Sequence, residues 1–253
     1  MKPISIQLYT VRELAKDGNH LNVLQQIADI GYKGVEGSGY GMTPSEFRKV
    51  VEDMGMAVSS YFGPFPTPET VNKFIDTAKE LGTNQTVSGF WIPDFADRDA
   101  IASAARKVNA VLPALDEAGI TFSLHNHWAE FWKVEGRWAI DWLFDACPGV
   151  NLELDIYWCS AFGANRPAEV VAKYRDKIHL MHVKDGPLVE GRPHVAVGSG
   201  KMDIPGTIAA ADPDVLKWLI VELDECGTDM MQAVADSYRY LVGNRLAVGN
   251  SPV

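Results

Sequence analysis

Apolar and polar residues change period repeatedly along this chain. ISIQLYT, from Ile4 to Thr10, alternates with a period of two, as a half-buried strand does. HLNVLQQIADIG then places Leu21, Leu24, Ile27 and Ala28 on one helical face, and Gly31 stops it. YKGVEGSGYG reads as a short strand that carries Glu36 into a glycine-rich loop. TPSEFRKVVEDMG opens with Thr43 as an N-cap, Pro44 at the first helical position and Glu46 three residues after the cap, and it ends at Gly55. MAVSSYF predicts a third strand and ETVNKFIDTAKELG a third helix, joined by the proline-stiffened GPFPTPE. TNQTVSGFW is a fourth, more polar strand.

In the second half, DRDAIASAARKVNAVLPALDEAG reads as a long helix, with Pro113 predicting a kink or break near Ala110. Four strands follow on one plan. ITFSLHNH, VNLELDIYW, KIHLMHVKDG and VLKWLIVELDE each run apolar and then stop at ionisable residues. Helical patterns separate them: GRWAIDWLFDACPG, RPAEVVAKYRD and the short IPGTIAAAD, with TDMMQAVADSYRYLVGN closing the chain. Strands alternating with helices predict a parallel sheet. Eight such units in 253 residues predict an α/β fold, a single-domain (β/α)8 TIM barrel over residues 1–247, with 248–253 as a loose tail. An open doubly wound sheet is the weaker fit, because TVRELAKDGNH after the first strand lacks a GxGxxG turn.

Composition narrows the function classes. The apolar content of 47% supplies one large core, and 22% charged residues argue against disorder. Lys plus Arg number 23 and Asp plus Glu 33, a net charge of −10, so nucleic acid is not an expected partner. No apolar run is long enough to cross a membrane, and the N-terminus has no signal-peptide pattern. Three cysteines without CxxC spacing fit a reducing cytoplasm and no disulfide framework. A homo-oligomer is compatible with all of this.

The chemistry lies at the strand ends. A parallel barrel gathers the C-terminal ends of its strands on one face. Asp155, His182 and Glu222 stand at matching positions on three strands, and such oxygen and nitrogen donors suit a divalent ion. Without a cation, carboxylates meeting there would repel or take up protons. His125 matches these positions by strand phase, whereas Glu130 brings a negative charge but lies five residues beyond it, so either one is a candidate fourth ligand. Aromatic residues crowd the same ends: Tyr9, Tyr61, Phe62, Trp91, Trp128, Trp132 and Trp158. Aromatic rings beside carboxylates suit a sugar, whose C–H faces stack while its hydroxyls bind polar groups. Tyr9, His125, His127, Trp128 and Trp158 are the candidate substrate contacts. VAVGSGKMDI lacks the ending of a phosphate-binding loop and reads as a flexible lid or wall, with Asp203 as a turn residue. No GxSxG nucleophile motif appears.

LHNHWAEF, LELDIYW, IHLMHVKDG, VGSGKMD and IVELD, in this order and together with IQLYTVR and GYKGVE, resemble the xylose isomerase-like TIM-barrel superfamily. That group includes sugar phosphate isomerases and epimerases, inosose dehydratase, tagatose epimerase-type enzymes and endonuclease IV. The resemblance covers essentially the whole chain. It implies one divalent ion (Mn, Mg, Co or Zn) held by Asp155, His182 and Glu222. Many members carry a glutamate where His125 stands, and Glu130 is the nearest acid. Trp158 occupies a place where endonuclease IV relatives have a histidine, which argues against a trinuclear site. The reading that follows is a metal-dependent isomerase or epimerase of a free or keto sugar. Glu130 and Glu222 would pass a proton beside a carbonyl, and Lys184 would hold a substrate oxygen. A keto-sugar or keto-inositol lyase or dehydratase is the close alternative. DNA repair and non-catalytic sugar binding are further ones.

Overall fold

In the computed structural model, which describes residues 1–37 and 39–251, eight parallel strands close into a ring. They are β1 (Lys2–Gln7), β2 (Gly34–Glu36), β3 (Ala57–Phe62), β4 (Gln85–Gly89), β5 (Thr121–His125), β6 (Asn151–Asp155), β7 (Ile178–Val183) and β8 (Trp218–Val221). Each pairs with its successor, and β8 returns to β1 through Ile4–Leu219 and Ile6–Val221. Around the ring alternate α1 (His20–Ile30), α2 (Pro44–Asp53), α3 (Val71–Leu81), α4 (Arg98–Glu117), α5 (Ala139–Ala146), α6 (Pro167–Lys173), α7 (Ile204–Ala209) and α8 (Met230–Gly243). This is the (β/α)8 barrel that the alternating periods predict. No helix among the described residues is long and apolar enough to cross a membrane.

The strands separate two interiors. Side chains such as Ile4, Ile6, Leu152, Leu154 and Val221 belong to the large apolar core that also takes in the buried faces of the helices. A much smaller apolar cluster, Val87, Leu180 and Ile220 with Phe62 and Trp218, is separate from it. Alternation along a strand then dictates what comes next. On β7 the inward sequence is Leu180, His182 and, past the strand end, Lys184. On β8 it is Trp218, Ile220 and Glu222. On these two strands the barrel interior thus passes from apolar to ionisable within about two residues.

Four local features depart from expectation. β1 stops at Gln7 instead of Thr10. The Gln7 side chain accepts the Tyr9 N–H at 3.0 Å and starts a 3-10 turn, Leu8–Val11, whose Thr10 hydroxyl receives the Leu223 N–H at 3.1 Å. α4 runs through Pro113 as one unbroken helical segment. Buried Ile101, Ala104, Ala105, Val108, Val111, Leu112 and Leu115 hold it by one face, while Pro113 lies on the exposed face. The tail is tied down as far as it is described. Ala247 and Val248 pair with Lys2 and Pro3, the Asn250 N–H reaches the Gly31 carbonyl at 2.7 Å, and the Tyr238 hydroxyl donates to the Ser251 carbonyl at 2.6 Å. Residues 252 and 253 lie outside the described residues.

The fourth departure is the glycine-rich loop, which is fixed and not a free lid. Asp185, buried just past β7, accepts the N–H groups of Gly198, Gly200 and Met202 at 3.0–3.1 Å. Gly200 is required there, since a Cβ would fall 2.0 Å from Asp185 Oδ1. Asp203 is the N-cap of α7, accepting the Gly206 N–H at 3.0 Å.

Candidate active site

A cavity of about 1110 Å³ opens over the C-terminal ends of the strands. Its wall includes Tyr9, Phe62, Trp91, His125, His127, Trp128, Trp158, His194, Glu222 and Asp224. Beneath it His125, Asp155, His182 and Glu222 bring four ligand atoms within 4.8 Å of one another, and all four residues are buried. Three of the four were legible as matching strand ends. The structure completes the group with His125 and not with Glu130.

Glu130 is buried but does not border the cavity. It lies in the 3-10 turn Ala129–Phe131, and its carboxyl accepts the His127 N–H at 3.1 Å. Burial, opposed only partly by backbone hydrogen bonds, pushes its pKa up to about 8. The chain turns directly after the strand end instead of continuing along the barrel axis, and Glu130 is not among the clustered donor residues.

The imidazoles are held from behind. His125 Nδ1 lies 3.0 Å from Glu153 Oε2. His182 is gripped at both nitrogens, Nδ1 at 2.7 Å from Glu222 Oε2 and Nε2 at 2.7 Å from Glu36 Oε1. Gln7 Nε2 donates to the same Glu36 at 2.6 Å, and the Ser60 hydroxyl donates to its other oxygen. Glu153 was missed from the sequence, although it precedes Asp155 by two and must share its inward face. Glu36 was visible as a strand end but could not be connected to His182, 146 residues away.

Lys184 is 1% exposed and reaches three carboxylates: Asp155 at 2.9 Å, Glu222 at 2.8 Å and Asp224 at 2.9 Å. Burial alone would strip charge from Lys184 and His182. The carboxylates around them outweigh it and hold both pKa values well above their ordinary ranges. Burial would likewise raise Glu222, but Lys184 and His182 keep it well below the usual carboxylate range. Asp155 is raised to about 6, burial winning over the pull of Lys184 and His182. Burial, then the charge on His182, keeps His125 well below its ordinary value, so its contact with Glu153 is a hydrogen bond and not an ion pair. Burial and the neighbouring Glu36 raise Glu153 well above the carboxylate range.

Two imidazoles and two carboxylates are a donor set that zinc, manganese or cobalt accepts. Asp155 Oδ2 supports that fit: it is fully buried, stands at ion-pair distance from Lys184, and yet takes no hydrogen bond. An ion would take the place of the hydrogen bond between His182 Nδ1 and Glu222, with Glu36 orienting the far side of the ring. The residues therefore fit a divalent ion.

The aromatic residues assemble as a wall. Trp128 and Trp158 stand 5.0 Å apart, Trp158 lies 5.4 Å from His194, and the Lys184 ammonium is 5.3 Å from the Trp158 ring. Tyr9 is exposed at the rim under the Arg12 guanidinium, 3.7 Å from its ring centre. His194, in the long loop after β7, carried no periodic signal and was not anticipated.

The sequence model of the family described as a xylose isomerase-like TIM barrel matches residues 24–241. Among solved structures, a sugar phosphate isomerase/epimerase from Parabacteroides distasonis superposes with a TM-score of 0.77 at 25% identity, covering 95% of this chain and 93% of that one. A probable 3-DHS dehydratase of petrobactin synthesis from Bacillus anthracis matches with a TM-score of 0.73 at 12% identity, over 95% and 98% of the two chains. The IolI protein with a bound zinc atom matches with a TM-score of 0.73 at 13% identity, over 96% and 97%. No curated protein matches the chain.

Proposed function

The chain belongs to the xylose isomerase-like TIM-barrel family, and from that premise we propose that it is a divalent-metal-dependent isomerase or epimerase of a free or keto sugar. The observation that carries this reading is the convergence of His125, Asp155, His182 and Glu222 under an aromatic-walled cavity. A divalent ion bound by these four would supply Lewis acidity, polarising a carbonyl and acidifying the C–H beside it. Zinc in the IolI structure and the isomerase/epimerase description of the Parabacteroides protein agree with it.

The side chains divide the remaining work. Glu222 borders the cavity and is the group that takes and returns the carbon-bound proton. His127 is its partner in place of Glu130. It also borders the cavity, and its Nδ1 is buried without a hydrogen bond. Glu130 serves by holding the His127 backbone. Lys184 does not border the cavity, and its ion-pair partners among the described residues are Asp155, Glu222 and Asp224, so it keeps these carboxylates charged and in place instead of touching substrate. Trp128 and Trp158 face the sugar's C–H surface and exclude water.

A keto-sugar lyase or dehydratase is the second reading, favoured by His194. Its Nδ1 accepts the Asp224 N–H at 3.2 Å, which places the ring proton on Nε2, at the cavity wall, where a leaving hydroxyl would need one. The protein loaded with Mn²⁺ and given a panel of keto sugars in deuterated water separates the readings. Isomerisation or epimerisation leaves product of substrate composition with carbon-bound deuterium, whereas dehydration lowers the product mass by one water. Turnover with no deuterium in product or recovered substrate, together with full activity in Glu222→Gln, would overturn the acid–base assignment.

A further inference from the structure

Trp91 departs from the usual covering of large aromatic side chains. It follows β4 almost directly, and 69% of its surface is exposed. Yet it borders the same cavity as His125, His127 and Glu222. Its position is fixed from one side. The indole lies over the His127 imidazole with ring centroids 5.1 Å apart and planes 24° from parallel. Its backbone N–H is accepted by Asp94 Oδ2 at 3.2 Å, and its carbonyl accepts the Asp94 N–H at 2.9 Å. One face of the ring is occupied by His127, and the other is open.

Size gives the second observation. At about 1110 Å³ the cavity exceeds the roughly 300–1,000 Å³ that encloses a drug-sized ligand, and one sugar ring is smaller than such a ligand. From His182 the rings step outward to His125 at 4.7 Å, to His127 at 5.2 Å and to Trp91 at 5.1 Å. A ring seated at the donor cluster leaves the Trp91 end of the cavity unfilled.

We propose that Trp91 is the platform of a second sugar subsite, so that the substrate is a glycoside of at least two rings, the reacting ring at His125, Asp155, His182 and Glu222 and the next ring stacked on the open indole face. This rests on the reading of the site as a sugar site. An exposed indole suits the C–H face of a second pyranose, which the cavity wall would cover from the side. An interface between two copies is the competing use of an exposed tryptophan. The cavity favours the sugar, because the indole faces a space continuous with the donor cluster.

Calorimetric titration of the full chain loaded with Mn²⁺ tests this with three matched pairs: glucose and cellobiose, xylose and xylobiose, fructose and lactulose. In at least one pair the two-ring sugar binds about tenfold tighter than its one-ring partner. Trp91→Ala brings that ratio to within about twofold, and Trp91→Phe, which keeps an aromatic face, restores most of it. Equal binding within every pair, or a ratio that Trp91→Ala leaves intact, overturns the platform while the sugar reading stands. Failure of every sugar to bind overturns the sugar reading and the platform with it. A fall in molecular mass on Trp91→Ala, measured by light scattering, with the ratio unchanged, assigns the indole to an interface between copies and overturns the proposal.

Discussion

β1, β3 and β4 reach the cavity with Gln7, Phe62 and Gly89, and Tyr9 and Trp91 stand just beyond them, whereas β5, β6, β7 and β8 end in or beside His125, Asp155, His182 and Glu222. The two halves of the mouth use the same strand–helix unit. One half carries mostly neutral and aromatic surface, and the other concentrates ionisable groups under the Trp128 and Trp158 rings. Glu36 of β2 is the exception, and it crosses the barrel to His182. Grouping the charges has a physical return. Lys184 and His182 hold Glu222 charged, and the carboxylates hold Lys184 and His182 charged, which no member would achieve alone at this burial. The apolar half can then lower the local dielectric without displacing those charges.

The largest test of this division is Asp155→Ala. It should abolish stoichiometric metal in elemental analysis and lower activity on a proven substrate by about a thousandfold, while circular dichroism shows the barrel intact. Full metal occupancy in the variant would sink the donor set.

Glu130 tests whether a carboxyl in the charged half can behave as core. Its pKa is near 4.5 when unfolded and about 8 in the fold, so the native state holds the extra proton between those values. Its contribution is therefore complete below about pH 4.5 and is lost as pH rises toward 8. Urea midpoints of the wild type should fall over this window relative to Glu130→Gln, by an amount on the order of a few kcal/mol. Parallel profiles for the two proteins would show that Glu130 is not held neutral.

Glu36→Gln asks whether the crossing residue acts through His182. Metal affinity should drop about 10- to 100-fold, the usual effect of losing an outer carboxylate behind a ligating histidine. Unchanged affinity would separate Glu36 from the site. The smallest effect belongs to the aromatic rings that stand over the charged half. Trp158→Ala should weaken sugar binding by several-fold, on the order of 1 kcal/mol, and leave the metal in place. Loss of metal in that variant would mean the two kinds of surface are not separable.

Much of this was legible in the chain. The periods of two and 3.6 residues marked strands and helices, and their alternation marked the barrel. Asp155, His182 and Glu222 stood out because each ends an apolar run in the same phase. His125 shared the phase, yet Glu130 competed with it, since sequence distance does not show that the chain turns into Ala129–Phe131 directly after β5.

Sequence by itself determined which residues face inward. Period-two alternation fixes that locally, and it would have placed Glu153 beside Asp155 had it been followed one step back. Tertiary structure alone decided which inward residues meet. Glu36 and His182 lie on strands that are not neighbours in the barrel, and Lys184, His194 and Asp224 come together only when β7, its loop and β8 are in place. Ring closure sets those distances, and no local pattern encodes them. The same holds for charge. Whether a buried carboxyl is neutral, as with Glu130, or ionised, as with Glu222, depends on cations delivered from other strands, and only the folded barrel brings them within reach.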